Sequence, residues 1–302
     1  MKELLSNASN GPIPFKDAEL VFENIMDGNL SEIEIASFLT SLKVRGESID
    51  ELTAAASIMR KKSLKVLKGE DSVDIVGTGG DGMNTLNIST ASALLLASMD
   101  IKVAKHGNKA VSSKCGSGDV LEALNININL EPNEVEQQIK KNNFGFMFAP
   151  NYHSAMRFVG PTRKKIGKRT IFNMIGPLSS PALVKNQVIG VFDKNLLKIF
   201  ANALKSLNIK FAWILNSDDG LDEISPYAKT NVIQLKDNEI KEITIDPKKL
   251  EINADKFNNL VGQDAKFNAD KMLGIFKGED NDFSKAVCLN AAAGLIVSQK
   301  YE

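Results

Sequence analysis

Cysteine and histidine are both scarce in this chain of 302 residues, which holds two of each. Cys115 and Cys288 cannot build a disulfide framework, and no C-x-x-C pair or Cys/His cluster offers zinc ligands. His106 and His153 are too few and too far apart to suggest a metal site or a triad. Net charge is missing as well, since 37 basic residues balance 37 acidic ones. Proteins that coat nucleic acid or an anionic membrane carry a basic excess, so neither partner is expected. No run approaches the roughly 18 apolar residues of a membrane span. The longest candidate, Ala91 to Met99, is short and interrupted by Ser92 and Ser98. Met1 to Asn10 lacks the apolar stretch of a signal peptide. Internal repeats, low-complexity linkers and a Gly-x-Ser-x-Gly elbow are absent too. These absences leave a soluble, cytoplasmic, globular protein as the expectation.

What is present is ordinary globular composition, 43% hydrophobic and 25% charged. The length suits one large domain with a small one, and such a chain buries about three quarters of its unfolded surface without a staple. The first seventy residues read as helices. Leu20, Val21, Phe22, Ile25 and Met26 form a stripe that ends at Gly28. Ser31 with Glu34, and Ser48 with Glu51, are capping-box signatures. Ile33, Ile35, Ala36, Leu39 and Leu42 follow the first, and Leu52, Ala55, Ala56, Ile58 and Met59 the second. From Val73 the pattern changes to strands alternating with helices, the mark of a mainly parallel sheet flanked by helices. The expected strands are 73–76, 101–104, 144–148, 186–191 and 209–215; the helices are 91–99, 120–124, 133–141, 195–207 and 283–300. Between Val232 and Ile245 two alternating runs meet at Asp237-Asn238, a hairpin signal. The fold class is therefore α/β with a small all-helical domain: residues 1–70 helical, 71–302 α/β.

Three loops carry chemistry. The strand ending in Gly77-Thr78-Gly79-Gly80-Asp81-Gly82 can turn backbone N–H groups toward an anion, and Asn87, Ser89 and Thr90 add polar groups at a helix mouth, where Ser89-Thr90 would cap the helix 91–99. No Gly-Lys-Ser/Thr follows, so this is not a Walker loop. One strand later, Lys105 to Asp119 crowds three lysines, hydroxyls and glycines into fifteen positions; in a parallel sheet it shares the same carboxyl edge. The plainer reading of that segment is a solvated loop with Ser117 or Asp119 capping a helix. Past a further strand, Asp222-Glu223 offers hard oxygen ligands for Mg²⁺. The basic stretch Arg163 to Arg169 is a solvated helix face or the source of one Arg for a substrate carboxylate.

Taken in order, these residues resemble the anthranilate phosphoribosyltransferase family, the tryptophan-pathway branch of the nucleoside phosphorylase-like transferases. The resemblance rests on Asp74 to Asp81, Asn87-Ile88-Ser89-Thr90, Lys105-His106-Gly107-Asn108 and Ser112-Ser113-Lys114. It continues through Phe148-Ala149-Pro150, His153 to Met156, Arg169 to Asn173, Gly176-Pro177-Leu178 and Gly220 to Glu223. It implies transfer of 5-phosphoribosyl from phosphoribosyl pyrophosphate to the amine of anthranilate, with Mg²⁺ as cofactor. The donor would contact Gly77, Gly80, Asp81, Thr85, Asn87, Ile88, Ser89, Thr90, Lys105, His106, Gly107, Asn108, Lys109, Ala110, Val111, Ser112, Ser113 and Ser117. Anthranilate would meet Gly77, Asn108 and Arg163, with His106, Ala149, Pro150 and Met156 along its approach. Ser89, Asp222 and Glu223 would hold the metal. No residue is expected to act as a catalytic acid or base; Lys105 and Mg²⁺ would stabilise charge electrostatically. The resemblance also implies a homodimer, helices from within 156–178 added to the small domain, and leaves open association with a glutamine amidotransferase subunit.

The chain departs from the family pattern at four places: Lys109 for Arg, Cys115 for Ser, Gly118 for Ala and Ser180 for Asn. Lys109 keeps the charge but loses the planar fork. Two other readings stand beside the transferase. A pyrimidine nucleoside phosphorylase would share the fold and glycine loop, and a nucleic-acid-binding relative would use Arg163 to Arg169 as a basic stripe.

Overall fold

Capping chemistry starts the helices of the amino-terminal unit. The computed structural model describes residues 1–67, 69–110 and 114–300. Four helices come first: α1 (Lys2–Asn10), α2 (Phe15–Met26), α3 (Glu32–Arg45) and α4 (Ile49–Lys62). Both expected capping boxes form, with Ser31 and Glu34 on α3 and Ser48 and Glu51 on α4. Glu51 is fully buried because its carboxylate also accepts the Ile13 N–H at 3.0 Å and pairs with Arg45. The stripe on α2 holds at Val21, Phe22, Ile25 and Met26, whereas Leu20 is 47% exposed. On α3, Ile35, Leu39 and Leu42 are buried, but Ile33 is 83% exposed. A helix turns about 100° per residue, which carries these two side chains off the apolar face.

From Val73 the elements are β1 (Val73–Gly77), α5 (Ile88–Ser98), β2 (Val103–Gly107), α6 (Ser117–Ala123), α7 (Pro132–Asn142) and β3 (Phe144–Phe148). A helical insertion follows: α8 (Ala149–Tyr152), a 3₁₀ turn at Ser154–Phe158, α9 (Gly160–Ile166) and a second 3₁₀ turn at Ile171–Asn173. The chain then returns to the sheet through β4 (Asn186–Gly190), α10 (Leu196–Ser206), β5 (Phe211–Ser217), β6 (Thr230–Lys236) and β7 (Glu239–Ile245). It ends in α11 (Ala265–Phe276) and α12 (Asp282–Ser298). One seven-stranded sheet runs in the order β3-β2-β1-β4-β5-β6-β7. The first five strands are parallel, and β6 and β7 form the antiparallel hairpin. Its turn residues Asp237 and Asn238 have φ of 47° and 68°, the backbone of a primed two-residue turn.

The structure corrects three local expectations. Ser89 and Thr90 do not cap α5; they lie in its first turn, and Asn87 is the N-cap without a side-chain bond. The second strand starts at Val103, because Ile101 is drawn back to the Leu96 carbonyl by a 3.1 Å hydrogen bond that closes α5. The basic stretch is split, with Arg163 to Ile166 in α9 and Gly167 in a left-handed C-cap at φ 62°. Helices of four and seven residues, such as α8 and α9, are too short to show a period.

A single apolar cluster runs from α1–α4 through Ile171, Ile175 and Leu178 to α10 and one face of the sheet at Ile189, Ile214 and Ile233. The other face is covered by α5 and α12, with Leu96, Ala291 and Val297 against Ile75, Val103 and Trp213. Helices therefore cover both faces of the sheet, and only its strand ends remain for a site.

Candidate active site

From β1 the chain builds β2 and β3 on one side and returns to β4 on the other, so a crevice opens where β1 and β4 end. Gly77 and Gly190 close those strands in register. A Cβ on Gly77 would lie 2.6 Å from the Asp222 carboxylate, and one on Gly190 would overlap the Asp222 backbone carbonyl. This pair of glycines makes the room in which Asp222, from the loop after β5, lies over the crevice. The glycine loop is then fixed from several sides. Thr78 N–H donates to the Gly190 carbonyl at 2.9 Å, and Gly79 N–H to Asp222 Oδ2 at 2.9 Å.

Negative charge accumulates here. Glu223 Oε1 accepts the Ser89 N–H at 3.2 Å, at the start of α5. Burial and then the neighbouring Asp81 carboxylate push the Asp222 carboxyl well above the usual range. Burial and then Asp222 raise Glu223 likewise. Asp81 Oδ2 is buried without a partner. Three carboxylates that repel one another in a sheltered crevice, beside the Ser89 hydroxyl, fit a hard divalent cation with oxygen ligands. Among the described residues no group of three His, Cys, Asp or Glu side chains is arranged to hold an ion unaided. Remaining positions would go to water and substrate oxygens, the way Mg²⁺ is commonly held.

Positive charge comes from β2. Lys105 is buried, with its Nζ 2.5 Å from the Ile75 carbonyl and 3.4 Å from Ser89 Oγ. Burial lowers its pKa, and Asp74 and Glu223 oppose that shift. Strands β1 and β2 pair only at Val73 and Val103. Beyond that point the Asp74 carboxylate enters the gap and accepts the His106 N–H at 3.3 Å. His106 Nε2 lies 3.2 Å from His153 Nε2. One ring donates to the other across this contact, so one of the two nitrogens is bare and the rings cannot both be charged. Burial agrees, pushing His106 down to about 4 and His153 lower still.

The following loop is tied by Asp119, whose Oδ2 accepts from Ala110 N–H at 2.7 Å and Gly116 N–H at 2.8 Å. Ser117 Oγ donates to the Asn108 carbonyl at 3.1 Å, and Lys109 pairs with Glu122 at 2.8 Å. The capping reading of this segment thus holds for Asp119, alongside any ligand role of its neighbours. Asn87 joins this loop to α5 by donating to the Cys115 carbonyl at 3.2 Å. Ile88 is in the core, so only its backbone faces a ligand. Thr85 makes a backbone bridge to Val261. Val111, Ser112 and Ser113 lie outside the described residues. Ala149 opens α8 and Met156 sits in the first 3₁₀ turn, on the helical side. Arg163, on α9, lies 5.7 Å above the Phe172 ring, and burial lowers its pKa. No carboxylate pairs with it among the described residues.

Sequence reasoning assigned no individual site role to three residues that the structure brings to this edge: Asp74, Asn268 and Arg169. Asp74 carried a signal, being a lone charge inside an apolar strand. Asn268 Nδ2 donates to Asn87 Oδ1 at 2.9 Å, from a helix 181 positions away, and had none.

A phosphate-type loop, a buried lysine and clustered carboxylates at the switch point, under a helical unit, define a glycosyl-transferring enzyme. Two family models agree. The glycosyl transferase family helical bundle domain matches residues 5–63, and the glycosyl transferase family a/b domain matches residues 69–302. The chain belongs to that family and, within it, to the anthranilate phosphoribosyltransferases. It is 74% identical over 289 residues to the anthranilate phosphoribosyltransferase of Pelagibacter ubique, covering 96% of this chain and 87% of that one. The Thermus thermophilus enzyme of that name superposes with a TM-score of 0.92 at 34% identity, covering 99% of this chain and 90% of that one. The Saccharomyces cerevisiae enzyme in complex with PRPP and Mg superposes with a TM-score of 0.83 at 28% identity, covering 95% and 84%.

Proposed function

We infer that this chain transfers the 5-phosphoribosyl group of phosphoribosyl pyrophosphate to the amine of anthranilate, releasing pyrophosphate, in tryptophan biosynthesis. One observation carries the reading: the glycine loop, Lys105, Ser89 and the Asp81/Asp222/Glu223 group meet at the β1/β4 switch point. The relatives supply the substrate names. The direct test follows the loss of anthranilate fluorescence on mixing with phosphoribosyl pyrophosphate and enzyme. Fluorescence should fall with Mg²⁺ and stay constant in excess EDTA. Constant fluorescence with Mg²⁺ and folded protein would reject anthranilate as the acceptor.

The chain's residues divide the work by charge. Displacement at the anomeric carbon leaves negative charge on the departing pyrophosphate, and Lys105 with loop N–H groups would face that charge. Such preorganised donors usually make the largest contribution to rate. Ser89, Asp222 and Glu223 would hold Mg²⁺, which supplies Lewis-acid neutralisation of the diphosphate. An aromatic amine is neutral at pH 7 and attacks without a strong base, which agrees with two neutral, buried histidines at this edge. Arg163, without a carboxylate partner among the described residues, is assigned the anthranilate carboxylate. Arg163→Ala should raise the anthranilate KM about tenfold to a hundredfold, the worth of a charged hydrogen bond, and spare the donor KM. A change confined to the donor KM would refute that role.

The finer organisation belongs to the same proposal. Residues 1–70, with 156–178, form the acceptor-side helical unit, and 71–302 carries the donor. We assign the homodimer to that unit. Ile33, 83% exposed, and Val44, 81% exposed, lie eleven residues apart on one side of α3, with exposed Ser37 and Thr40 between them. An uncharged stripe of this kind suits a second copy of the chain. Ile33→Asp with Val44→Asp should convert a dimer into a monomer in sedimentation velocity, with the fold unchanged by circular dichroism. Among the described residues no helix is long and apolar enough to cross a membrane, and two free thiols accord with a cytoplasmic setting.

A further inference from the structure

Arg169 is the one cation of the basic stretch that reaches from the helical insertion into the glycine loop. After the left-handed Gly167 ends α9, the chain turns, and the Arg169 guanidinium lies 3.7 Å above the centre of the Phe192 ring. Its Nη2 donates to the Gly80 carbonyl. Phe192, just past β4, is itself held to the loop, since its N–H donates to Thr78 Oγ1 at 3.1 Å. Gly80 has φ of 77°, and a Cβ there would run into the guanidinium. Loop and arginine are therefore shaped around one another. No carboxylate pairs with Arg169 among the described residues.

The geometry has a direct effect on the loop's donors. In a trans peptide the carbonyl and the following N–H point opposite ways. Fixing the Gly80 carbonyl on Arg169 fixes the Asp81 N–H in the reverse direction, and Phe192 fixes Thr78 on the same loop. A glycine-rich turn free of these ties would have to be ordered when a diphosphate binds, at a cost in affinity.

We propose that Arg169 is a positioning residue for the phosphoribosyl donor, holding the Thr78–Asp81 loop in its anion-binding form from the acceptor side of the molecule. The inference rests on the donor assignment above. A flat guanidinium is required, because it must stack on a ring and donate at its edge at once, which a lysine's compact ammonium cannot do.

The test measures binding of phosphoribosyl pyrophosphate by calorimetry, then both KM values. Arg169→Ala should weaken donor binding about tenfold or more and leave the anthranilate KM unchanged. Guanidinium chloride at low millimolar concentration should recover part of the loss, which a purely structural role would not allow. Arg169→Lys should remain impaired, and Phe192→Leu should show the same donor-side defect to a smaller degree. Those two variants carry the test if Arg169→Ala fails to fold. Unchanged donor binding in the folded variants, or a defect confined to anthranilate, would overturn the proposal. Failure of the wild-type protein to bind the donor would instead overturn the functional reading beneath it.

Discussion

Asp222→Asn should lose turnover on the order of 10²- to 10³-fold, the usual penalty for removing one preorganised electrostatic element, while its fold becomes no less stable. The two halves of this prediction come from one arrangement. Asn keeps an oxygen for the Gly79 N–H, so the loop geometry survives. It removes one of three mutually repelling carboxylates, and without a cation that repulsion opposes folding. The melting temperature in EDTA should therefore equal or exceed that of the wild type. Added Mg²⁺ with pyrophosphate should raise the wild-type melting temperature and leave the variant almost unmoved. Turnover measured across a magnesium titration should show a higher requirement. Identical magnesium curves for the two proteins would refute the metal-holding role proposed for Asp222.

Gly190→Ala should be nearly as damaging, although residue 190 offers no functional group. A methyl there would overlap the Asp222 backbone carbonyl, so either the strand end or the acidic loop must move. Overpacking of this sort costs about 1–3 kcal/mol of stability. The displaced carboxylate should cost roughly 10²-fold in kcat, as expected of a misplacement near 1 Å at a reacting centre. Gly11→Ala is the control, because a Cβ at Gly11 meets open space and the backbone is extended there. Wild-type kinetics in Gly190→Ala would mean that the Asp222 loop is not seated where the structure puts it.

Much of the site was legible because its signals are local. A strand that runs into glycines, a Ser or Asn at a helix mouth and an Asp-Glu pair after a strand each announce themselves within a few residues. Parallel alternation then places them on one edge. The capping boxes were equally readable, since Ser31 and Glu34 satisfy each other across one turn. The ties that hold the site together were not. Arg169 meets Gly80 across 89 positions, and Asp74 meets His106 across 32. Arg169 looks like any surface charge in a basic run, and the lone charge of Asp74 inside an apolar strand marks it without saying what it meets. Ser89 and Thr90 misled for a related reason: hydroxyls near a helix start look like caps until the true first turn is known. Leu20 and Ile33 misled because they adjoin the apolar stripe in sequence although the helical turn sets them off it.

The apolar cluster that joins the helical unit to α10 and the sheet has a consequence for how such a protein can be taken apart. Arg60, on α4, is buried with its Nε donating to the Leu178 carbonyl at 2.6 Å and its Nη1 reaching the Leu207 carbonyl at the end of α10. Cutting the chain near residue 68 would leave an arginine and a row of leucines and isoleucines facing water on one fragment, and an uncovered α10 surface on the other. Neither piece is a module in the sense of a unit that keeps its shape when excised. The bundle and the sheet should melt in one cooperative transition, and a bundle borrowed from a distant relative would need the α10 surface borrowed with it.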